Sequence, residues 1–252
     1  MKILVTNDDG IMAPGIAELA RAAREFGEVT VIAPREQCSA MSHHITLHRP
    51  MAIEERKDFP VEGVRAFSLD GTPADCVRTL THGMFDMDRE RKKSGGPDYL
   101  KVNPDLPDLV LSGINHGANA GHDIVYSATV GAAMEAVMCG VPAICFSQLA
   151  GRSCEVREKY LPGLLGELIR KKTAPGEIFN VNFPDCPLSE FQGILRDRKL
   201  DSWCLYNDHY DIEDGQVKLV DRMRTEGDIE TDIGAVLAGY ISVGIIRNPV
   251  FL

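Results

Sequence analysis

Apolar and polar positions alternate along the first two-thirds of the chain in a pattern typical of strands connected by helices. Residues 3–6 form a short apolar run that ends at a polar turn, and apolar or small side chains then recur at helical spacing from residue 14 to 26. A second apolar run covers residues 29–33 and stops at Pro34. Strand, helix and strand within about 35 residues predict a parallel pair with a right-handed crossover.

The alternation continues to about residue 183. It predicts strands at 64–69, 108–112, 143–146 and 179–183, and helices from the 70–75 turn to about 84, at 129–139 and around 159–171. The segment 92–101, which contains Ser94-Gly-Gly-Pro97, is typical of a surface loop. We therefore predict an α/β fold, with a Rossmann-like parallel sheet between helices in three layers.

The pattern changes after Pro184. Short polar and apolar alternations run through residues 191–221, followed by a predicted short helix at 232–239 and a strand at 240–246. We interpret residues 1–186 as the Rossmann-like core and residues 187–252 as a hairpin and C-terminal arm extension of the same domain. We expect this extension to contribute to oligomerisation.

The composition fits one large domain and restricts the classes of function. Hydrophobic residues make up 44% of the 252 positions, enough for one large α/β core. The formal net charge of −10 argues against binding a nucleic-acid polymer, which relies on clustered Lys and Arg. A small anionic substrate stays compatible with this charge, because a bound metal ion can supply positive charge locally.

The cysteines and the hydropathy pattern bear on location. The seven cysteines form no CxxC pair and several lie within apolar runs, which predicts buried, reduced thiols. The first residues are too short and strand-like for a signal peptide, and no apolar run approaches the length of a membrane span. We therefore predict a cytoplasmic protein without a membrane partner.

Four polar clusters lie just beyond the carboxyl ends of predicted parallel strands. They are Asn7-Asp8-Asp9-Gly10, Arg35-Glu-Gln-Cys-Ser39, Gly71-Thr-Pro-Ala-Asp75 and Gly113-Ile-Asn-His-Gly-Ala-Asn119. In open α/β sheets, ligands bind outside the carboxyl ends of the strands. We therefore expect these clusters to converge on one site.

The Asp8–Asp9 pair is the first candidate for metal binding. Two adjacent carboxylates repel each other unless a cation or hydrogen-bond donors offset the repulsion, and carboxylate oxygens suit Mg²⁺, Mn²⁺ or Ca²⁺. The amide oxygen of Asn115 can complete such a site. The alternatives are structural: a capping Asp-Gly turn for the pair, a left-handed turn for Asn115 and an ordinary loop position for Ser39.

The loop 115–121 and the helix that follows it form a candidate phosphate site. Backbone amides of the loop can form an anion-binding concavity. Ser127 and Thr129 lie at a predicted helix N-terminus, where free N–H groups attract phosphate, although ordinary N-capping is equally compatible with the sequence. His116 is a candidate acid or substrate contact in the same loop.

Other polar residues also have structural alternatives. His43, His44 and His48 have the look of a metal cluster, but adjacent strand residues point to opposite faces, so we do not expect zinc there. Asp75 either caps its helix or approaches the site. Glu135 is either buried near the clusters or exposed to solvent.

Several motifs occur in a fixed order along nearly the whole chain. They are residues 3–10 (ILVTNDDG), Ala33-Pro34 followed by Ser39, Ile45-Thr46, residues 71–77 (GTPADCV), 112–119 (SGINHGAN) and 126–130 (YSATV). Residues 180–184 (NVNFP) and Thr231-Asp232 followed by 239–242 (GYIS) extend the series. In order and approximate spacing, these motifs resemble the SurE (stationary-phase survival protein) 5'-nucleotidase family.

The resemblance implies a metal-dependent hydrolase of nucleoside 5'-monophosphates, with 3'-monophosphates and short polyphosphate as further substrates. It implies one divalent cation per subunit, Mg²⁺, Mn²⁺ or Ca²⁺, with the ligands Asp8, Asp9, Ser39 and Asn115. The phosphate-contacting positions are Asn119, Ser127 and Thr129, to which we add His116, and the catalytic residues are Asp8 and Asp9. The family also implies a homodimer or homotetramer, formed partly by exchange of the C-terminal arm.

The sequence departs from the family pattern at three places. Ala40 follows Ser39, and Ala128 follows Ser127, at positions where the family usually has glycine. Residues 244–247 (GIIR) replace the usual Thr-Pro-Leu ending, which bears on the oligomer contact more than on the chemistry. Each alanine adds a methyl group and restricts φ, so we expect an effect on substrate preference or turnover.

Two mechanisms and two further functions stay open at this point. The cation can lower the pKa of a water that one carboxylate, Asp8 in the first instance, positions or deprotonates; a direct aspartyl-phosphate route through Asp8 is the alternative. One further function is a nucleotide-sensing module with negligible turnover, which Ala40 and Ala128 would favour. The other is an enzyme that acts mainly on short polyphosphate.

Overall fold

The structure, a computed structural model, describes residues 1–88, 92–93, 96–220 and 222–251. Its strands are β1 (Lys2–Thr6), β2 (Glu28–Pro34), β3 (Ile53–Glu55), β4 (Arg65–Leu69), β5 (Leu109–His116), β6 (Ala143–Gln148), β7 (Glu177–Phe183), β8 (Gly193–Arg198), β9 (His209–Glu213), β10 (Gln216–Val220) and β11 (Tyr240–Arg247). Its α-helices are α1 (Pro14–Ala23), α2 (Pro73–Thr81), α3 (Gly96–Leu100), α4 (Ala128–Met138), α5 (Glu155–Ile169) and α6 (Asp232–Leu237).

The central sheet has nine strands in the order β3-β4-β2-β1-β5-β6-β7-β11-β8. The six strands from β4 to β7 are mutually parallel. β3 pairs antiparallel with β4 at one edge, and β11 pairs antiparallel with β7 before β8 closes the other edge. The mostly parallel sheet confirms the predicted α/β class.

Helices cover both faces of the sheet, which confirms the predicted three layers. On one face, α1 and α5 bury apolar side chains such as Ile16, Leu19 and Leu165 against the strands. On the other face, α2 and α4 pack together with the strands, using Val77 and small residues such as Ala133. The small residues of α4 allow the two helices to approach closely, which brings their N-termini to the same region.

The parallel strands place the four polar clusters at the same end of the sheet, where the carboxyl ends of the strands lie. Thr6 at the end of β1 lies beside Ser112 of β5, and Pro34 at the end of β2 lies beside Leu69 of β4. The segments that follow these residues are the predicted clusters. Their convergence therefore results from strand register.

The segment 187–252 is continuous with the core. Its strands β8 and β11 belong to the central sheet, whereas β9 and β10 form a separate antiparallel hairpin. A small apolar cluster that includes Ala118, Ala120, Leu205 and Ile233 joins this segment to the loop after β5. The division at residue 186 stays a prediction, and Asp221 and Leu252 of the predicted extension lie outside the described residues.

The predicted surface loop at 92–101 is partly wrong. Residues Gly96–Leu100 form helix α3, and Tyr99 is only 2% exposed, with its hydroxyl donating to Asp86 Oδ2 at 3.0 Å. One aromatic anchor thus orders a segment whose composition is that of a loop. Ser94 and Gly95 of this prediction lie outside the described residues.

Two sequence predictions concern the cysteines and membrane spans. All seven cysteines are free and five are buried, with Cys154 and Cys204 partly exposed. Among the described residues, none of the helices has both the length and the apolar character that crossing a bilayer requires.

Candidate active site

The end of β1 turns sharply and separates the two carboxylates of the candidate metal pair. Asn7 Nδ2 donates to the carbonyl oxygen of Gly10 at 2.9 Å, and Gly10 has a φ of 99°, which favours glycine. Asp8 is 4% exposed, whereas Asp9 is partly exposed. The turn therefore directs Asp8 inward and leaves Asp9 at the mouth of the site.

Asp8 is held against the N-terminus of α4. Thr129 donates its hydroxyl to Oδ1 at 2.7 Å and its backbone N–H to Oδ2 at 3.3 Å. The backbone N–H of Cys38 donates to the Asp8 carbonyl oxygen at 2.7 Å, which connects the loop after β2 to the same residue. A carboxylate at a helix N-terminus is stabilised by the helix dipole.

The pKa of Asp8 is nevertheless raised from 3.8 to about 6. Burial is the main cause; the hydroxyl of Thr129 opposes it, and the charge of Asp9 adds to it. The site therefore holds two carboxylates whose simultaneous ionisation is disfavoured in the absence of a cation. A group with a pKa near neutrality is also suited to accept a proton from water.

The end of β5, which runs four residues beyond the predicted strand at 108–112, is attached to Asp9. The backbone N–H of His116 donates to Asp9 Oδ2 at 3.0 Å. Asn115 Nδ2 donates to the Gly117 carbonyl oxygen at 2.7 Å, so the amide oxygen of Asn115 is not used in this hydrogen bond. The His116 side chain is exposed at the surface.

Ser39 lies on a loop of residues 35–49 that follows β2, which we call the Ser39 loop. Ser39 is exposed, and its hydroxyl accepts a hydrogen bond from Gln37 Nε2 at 2.9 Å. It follows Cys38, whose N–H contacts the Asp8 backbone. Beside it a cleft of about 1040 Å³ opens between this loop and residues 69–72.

Asn119 and Ser127 have structural partners. Asn119 is buried; its Nδ2 donates to Ser147 Oγ at 2.8 Å and its backbone N–H donates to Asn182 Oδ1 at 2.9 Å. Ser127 caps α4, accepting from the Val130 N–H at 3.1 Å, so its capping role is confirmed. A phosphate contact by Asn119 would use the second N–H of its amide.

Comparison with known proteins identifies the family of this chain. The family model described as "Survival protein SurE" matches residues 3–202. The chain belongs to the SurE family. This confirms the resemblance that the motifs indicated.

Individual relatives are similar to this chain over most of its length. A protein of Pelobacter propionicus named 5'-nucleotidase SurE is 40% identical over 206 residues, which cover 79% of this chain and 72% of that protein. One of Clostridium botulinum with the same name is 35% identical over 92% of this chain and 85% of its own length. The crystal structure of the SurE protein from Aquifex aeolicus superposes with a TM-score of 0.76 at 30% identity, covering 98% of this chain and 93% of that one. The SurE 5'-nucleotidase family is generally metal-dependent.

The two alanines that depart from the SurE pattern have different backbones. Ala40 has a φ of 55°, in the left-handed region where a β-carbon is strained. Ala128 is the first residue of α4 and is not among the residues with positive φ, so alanine suits its position. Only Ala40 therefore carries a conformational penalty relative to glycine.

The other sequence candidates have structural roles in this SurE chain. Asp75 forms a capping box with Thr72 and also accepts from the N–H and hydroxyl of Thr46 on the Ser39 loop. His43 pairs with Glu135, which is buried. Burial, followed by the charge of Asp8, raises the pKa of Cys38 to about 11, which argues against a thiolate nucleophile at neutral pH.

The donor atoms present fit a hard divalent cation. Within the described ranges, no group of three His, Cys, Asp or Glu side chains is arranged to hold a metal, so a zinc-type site is not indicated. The sequence prediction combines two carboxylates with a hydroxyl and an amide, all oxygen donors of the kind that Mg²⁺, Mn²⁺ and Ca²⁺ prefer. The carboxylate repulsion that helps to raise the Asp8 pKa is the repulsion a cation would offset.

Sequence reasoning missed three groups around this site. Arg78 contacts Glu135, and Ser147 and Asn182 fix Asn119. Asn182 belongs to the motif at residues 180–184, but its contact with Asn119 could not be predicted, because it joins segments distant in sequence. The same reason applies to the contacts of Ser147 and Arg78.

Proposed function

We infer that this chain is a metal-dependent 5'-nucleotidase that hydrolyses nucleoside 5'-monophosphates to nucleoside and phosphate. The observation that carries this inference is the buried Asp8 beside Asp9, held against the N-terminus of α4 at the edge where the polar clusters meet. Membership of a family whose relatives bear the name 5'-nucleotidase SurE supports it.

We propose one divalent cation per subunit, Mg²⁺, Mn²⁺ or Ca²⁺, with the ligands Asp8, Asp9, Ser39 and Asn115. Held by these residues, a cation would polarise the phosphate and lower the pKa of a nearby water. The turn at Gly10 and the contact from the His116 N–H hold Asp9 in place. The hydroxyl of Ser39 would exchange its bond with Gln37 for the cation.

Asp8 is the proposed base. In the metal-free protein its pKa of about 6 lies closer to neutrality than that of an ordinary aspartate, because burial disfavours its charged form. A bound cation would lower this pKa, so the role of base rests on the position of the carboxylate. Thr129 orients the carboxylate through two hydrogen bonds, so that Asp8 positions the attacking water and accepts its proton. Direct attack by Asp8 on phosphorus would instead form an aspartyl-phosphate and release the nucleoside, and water would hydrolyse this intermediate in a second step. A phosphoenzyme trapped during turnover would therefore contradict the water-attack route.

The phosphate would lie between the loop 115–119 and the start of α4. Asn119, Ser127, Thr129 and His116 are the proposed contacts, with backbone amides stabilising the charge that develops on the phosphate. In the structure, Thr129 and Ser127 are already bound to Asp8 and to the helix N-terminus. Thr129 therefore acts on the phosphate mainly through the orientation of Asp8.

The cleft beside Ser39 has room for a substrate larger than phosphate, and its lining adjoins the proposed site through Cys38 but contains none of the proposed metal ligands or phosphate contacts. Its volume of about 1040 Å³ is slightly above the range of roughly 300–1,000 Å³ that is usual for small-molecule sites. Its lining mixes apolar side chains, such as Met41 and Leu47, with polar ones, such as His44 and Thr46. A nucleoside fits this chemistry, and nucleoside 3'-monophosphates and short polyphosphate are the alternative substrates to compare.

We also propose a cytoplasmic homodimer or homotetramer in which the 187–252 segment makes subunit contacts. The β9–β10 hairpin carries four exposed apolar side chains on one face, in two cross-strand pairs: Tyr210 with Leu219, and Ile212 with Val217. A two-stranded hairpin alone is marginally stable in water. Light scattering on wild type and Ile212→Lys tests this, and an unchanged mass would contradict a role for the hairpin.

The test of the proposed function is phosphate release from a panel of nucleoside 5'- and 3'-monophosphates and tripolyphosphate, with Mg²⁺, Mn²⁺, Ca²⁺ or EDTA. We expect metal-dependent release from 5'-monophosphates by wild type and its loss in Asp9→Ala. Asp98→Ala, an exposed aspartate on α3, is the matched control and should retain activity. Absence of release with every cation, from folded protein that still binds nucleotide, would overturn the proposal in favour of a sensing module.

A further inference from the structure

A buried carboxylate connects the Ser39 loop to two helices. Glu135 of α4 has a side chain that is 4% exposed, and its Oε2 lies 2.7 Å from His43 Nε2, while its Oε1 accepts from Arg78 Nη1 of α2 at 2.7 Å. Burial alone would raise the pKa of Glu135, but the hydrogen bonds from His43 and Arg78 hold it below its ordinary value. The carboxylate is therefore ionised and bound on both oxygens at neutral pH.

The Ser39 loop also lies against α4 and against the turn that precedes this helix. Ser42 donates its N–H to the Tyr126 carbonyl oxygen at 2.9 Å and its hydroxyl to that of Val125 at 2.7 Å. A β-carbon at Gly131 would lie 2.6 Å from the Ser42 carbonyl oxygen. The close approach thus depends on glycine at this position of the helix.

The backbone of this part of the loop is strained. Ala40 and Ser42 have φ values of 55° and 54°, which cost non-glycine residues energy. Such a conformation persists only where surrounding contacts over-determine it. Ser42 and His43, three and four residues after Ser39, contact α4 and so can hold the strained backbone in place.

We propose that Glu135 is a positioning residue of the candidate metal site: through His43 and Arg78 it locks the Ser39 loop against α4 and α2, and so holds Ser39 where it can coordinate the cation. This inference rests on the proposed function, because it treats Ser39 as a metal ligand. Glu135 itself touches neither cation nor substrate. Its loss should therefore weaken metal binding more than it slows the metal-saturated reaction.

The test compares Glu135→Gln with Glu177→Gln in the full-length protein. Glu177 is a matched control: its side chain is 13% exposed and paired with Arg247, but it is the first residue of β7 and so lies at the amino ends of the parallel strands, away from the site. Mn²⁺ affinity is measured by calorimetry, hydrogen exchange is measured over residues 39–46, and phosphate release is titrated with Mn²⁺. His43→Gln keeps a side-chain donor for Glu135, whereas His43→Leu removes it.

For Glu135→Gln we expect about 10-fold weaker Mn²⁺ binding, the lower end of the usual effect of outer-shell residues. Exchange over residues 39–46 should be faster, and turnover at saturating Mn²⁺ should stay within about two-fold of wild type. His43→Leu should behave in the same way, and His43→Gln should be closer to wild type. Wild-type values for Glu177→Gln complete the expected pattern.

Unchanged affinity and exchange in Glu135→Gln would overturn the inference, as would an equal loss of affinity in Glu177→Gln. Failure of the proposed function is a separate outcome, seen as wild-type protein that neither binds Mn²⁺ nor releases phosphate. In that case the exchange data still decide whether Glu135 locks the loop, because they do not depend on metal.

Discussion

Replacing Asp8 by asparagine is expected to stabilise the metal-free protein at alkaline pH while abolishing phosphate release. The Asp8 side chain is buried, and its pKa is raised from 3.8 to about 6, first by burial and then by the charge of Asp9, against the hydrogen bond from Thr129. At 1.36 kcal/mol per pKa unit, this difference corresponds to roughly 3 kcal/mol. Asparagine keeps an acceptor for the Thr129 hydroxyl and carries no charge to bury.

The direction of this pH effect follows from the linkage between proton binding and folding. Because the folded pKa is raised, the contribution of Asp8 to stability is fully present below about pH 4 and is lost as the pH rises through about 6. The free energy of unfolding is measured by urea titration in EDTA at pH 4.5 and pH 8, for wild type and Asp8→Asn. Part of the roughly 3 kcal/mol is already lost at pH 4.5, so the variant should gain about 2 kcal/mol relative to wild type between the two pH values.

Two outcomes would bear against this reasoning. A difference between variant and wild type that is the same at both pH values would refute the claim that burial opposes the ionisation of Asp8. In a second series with Mn²⁺ at pH 8, wild type should be stabilised by mass action and Asp8→Asn should not. Equal stabilisation of both proteins would show that Asp8 is no metal ligand.

Three further predictions concern single contacts. Thr129→Val removes the hydroxyl that donates to Asp8 at 2.7 Å and should cost about 1.5–3 kcal/mol at pH 8, by urea titration, because the acceptor is charged. Ala40→Gly should stabilise the folded protein by up to about 1 kcal/mol, since relief of roughly 1–2 kcal/mol of left-handed strain exceeds the added entropy of the unfolded chain. A less stable variant would show that the positive φ of Ala40 does not strain the folded protein. Gly131→Ala should lower the stability of the protein and speed hydrogen exchange in the Ser39 loop. Gly163→Ala in α5 is the control: no atom lies within 4 Å of the added carbon, so the protein should be stabilised by up to about 1 kcal/mol. A stabilising Gly131→Ala and a destabilising Gly163→Ala would contradict the close contact between α4 and the loop.

The core of the fold could be predicted because its physical signals are local. The apolar run before Asn7 is a parallel strand, buried on both faces, and it reads as a continuous hydrophobic segment. Strand β3 (Ile53–Glu55) gave no such signal, since it is exposed and paired only along one side. Helix α3 was missed because its only buried residue, Tyr99, is held by contacts with distant segments.

The candidate site was partly predictable for the same reason. Strand ends bring Asp8, Asp9 and the loop after β5 together, and a pattern of strands is enough to expect this. The pairing of Glu135 with His43 depends on how the Ser39 loop folds over α4. The sequence alone left Glu135 undecided because a helical pattern does not say which loop will cover a given face.

The most direct test of the central claim is Mn²⁺ binding, measured by electron paramagnetic resonance, in wild type and in the single variants Asp8→Asn, Asp9→Ala, Ser39→Ala and Asn115→Ala. The account predicts one bound Mn²⁺ per chain in wild type and weakened binding in each variant. Asp98→Ala should bind as wild type does, since its side chain is at the surface. Wild-type binding in all four site variants would contradict the account, because the cation would then lie elsewhere.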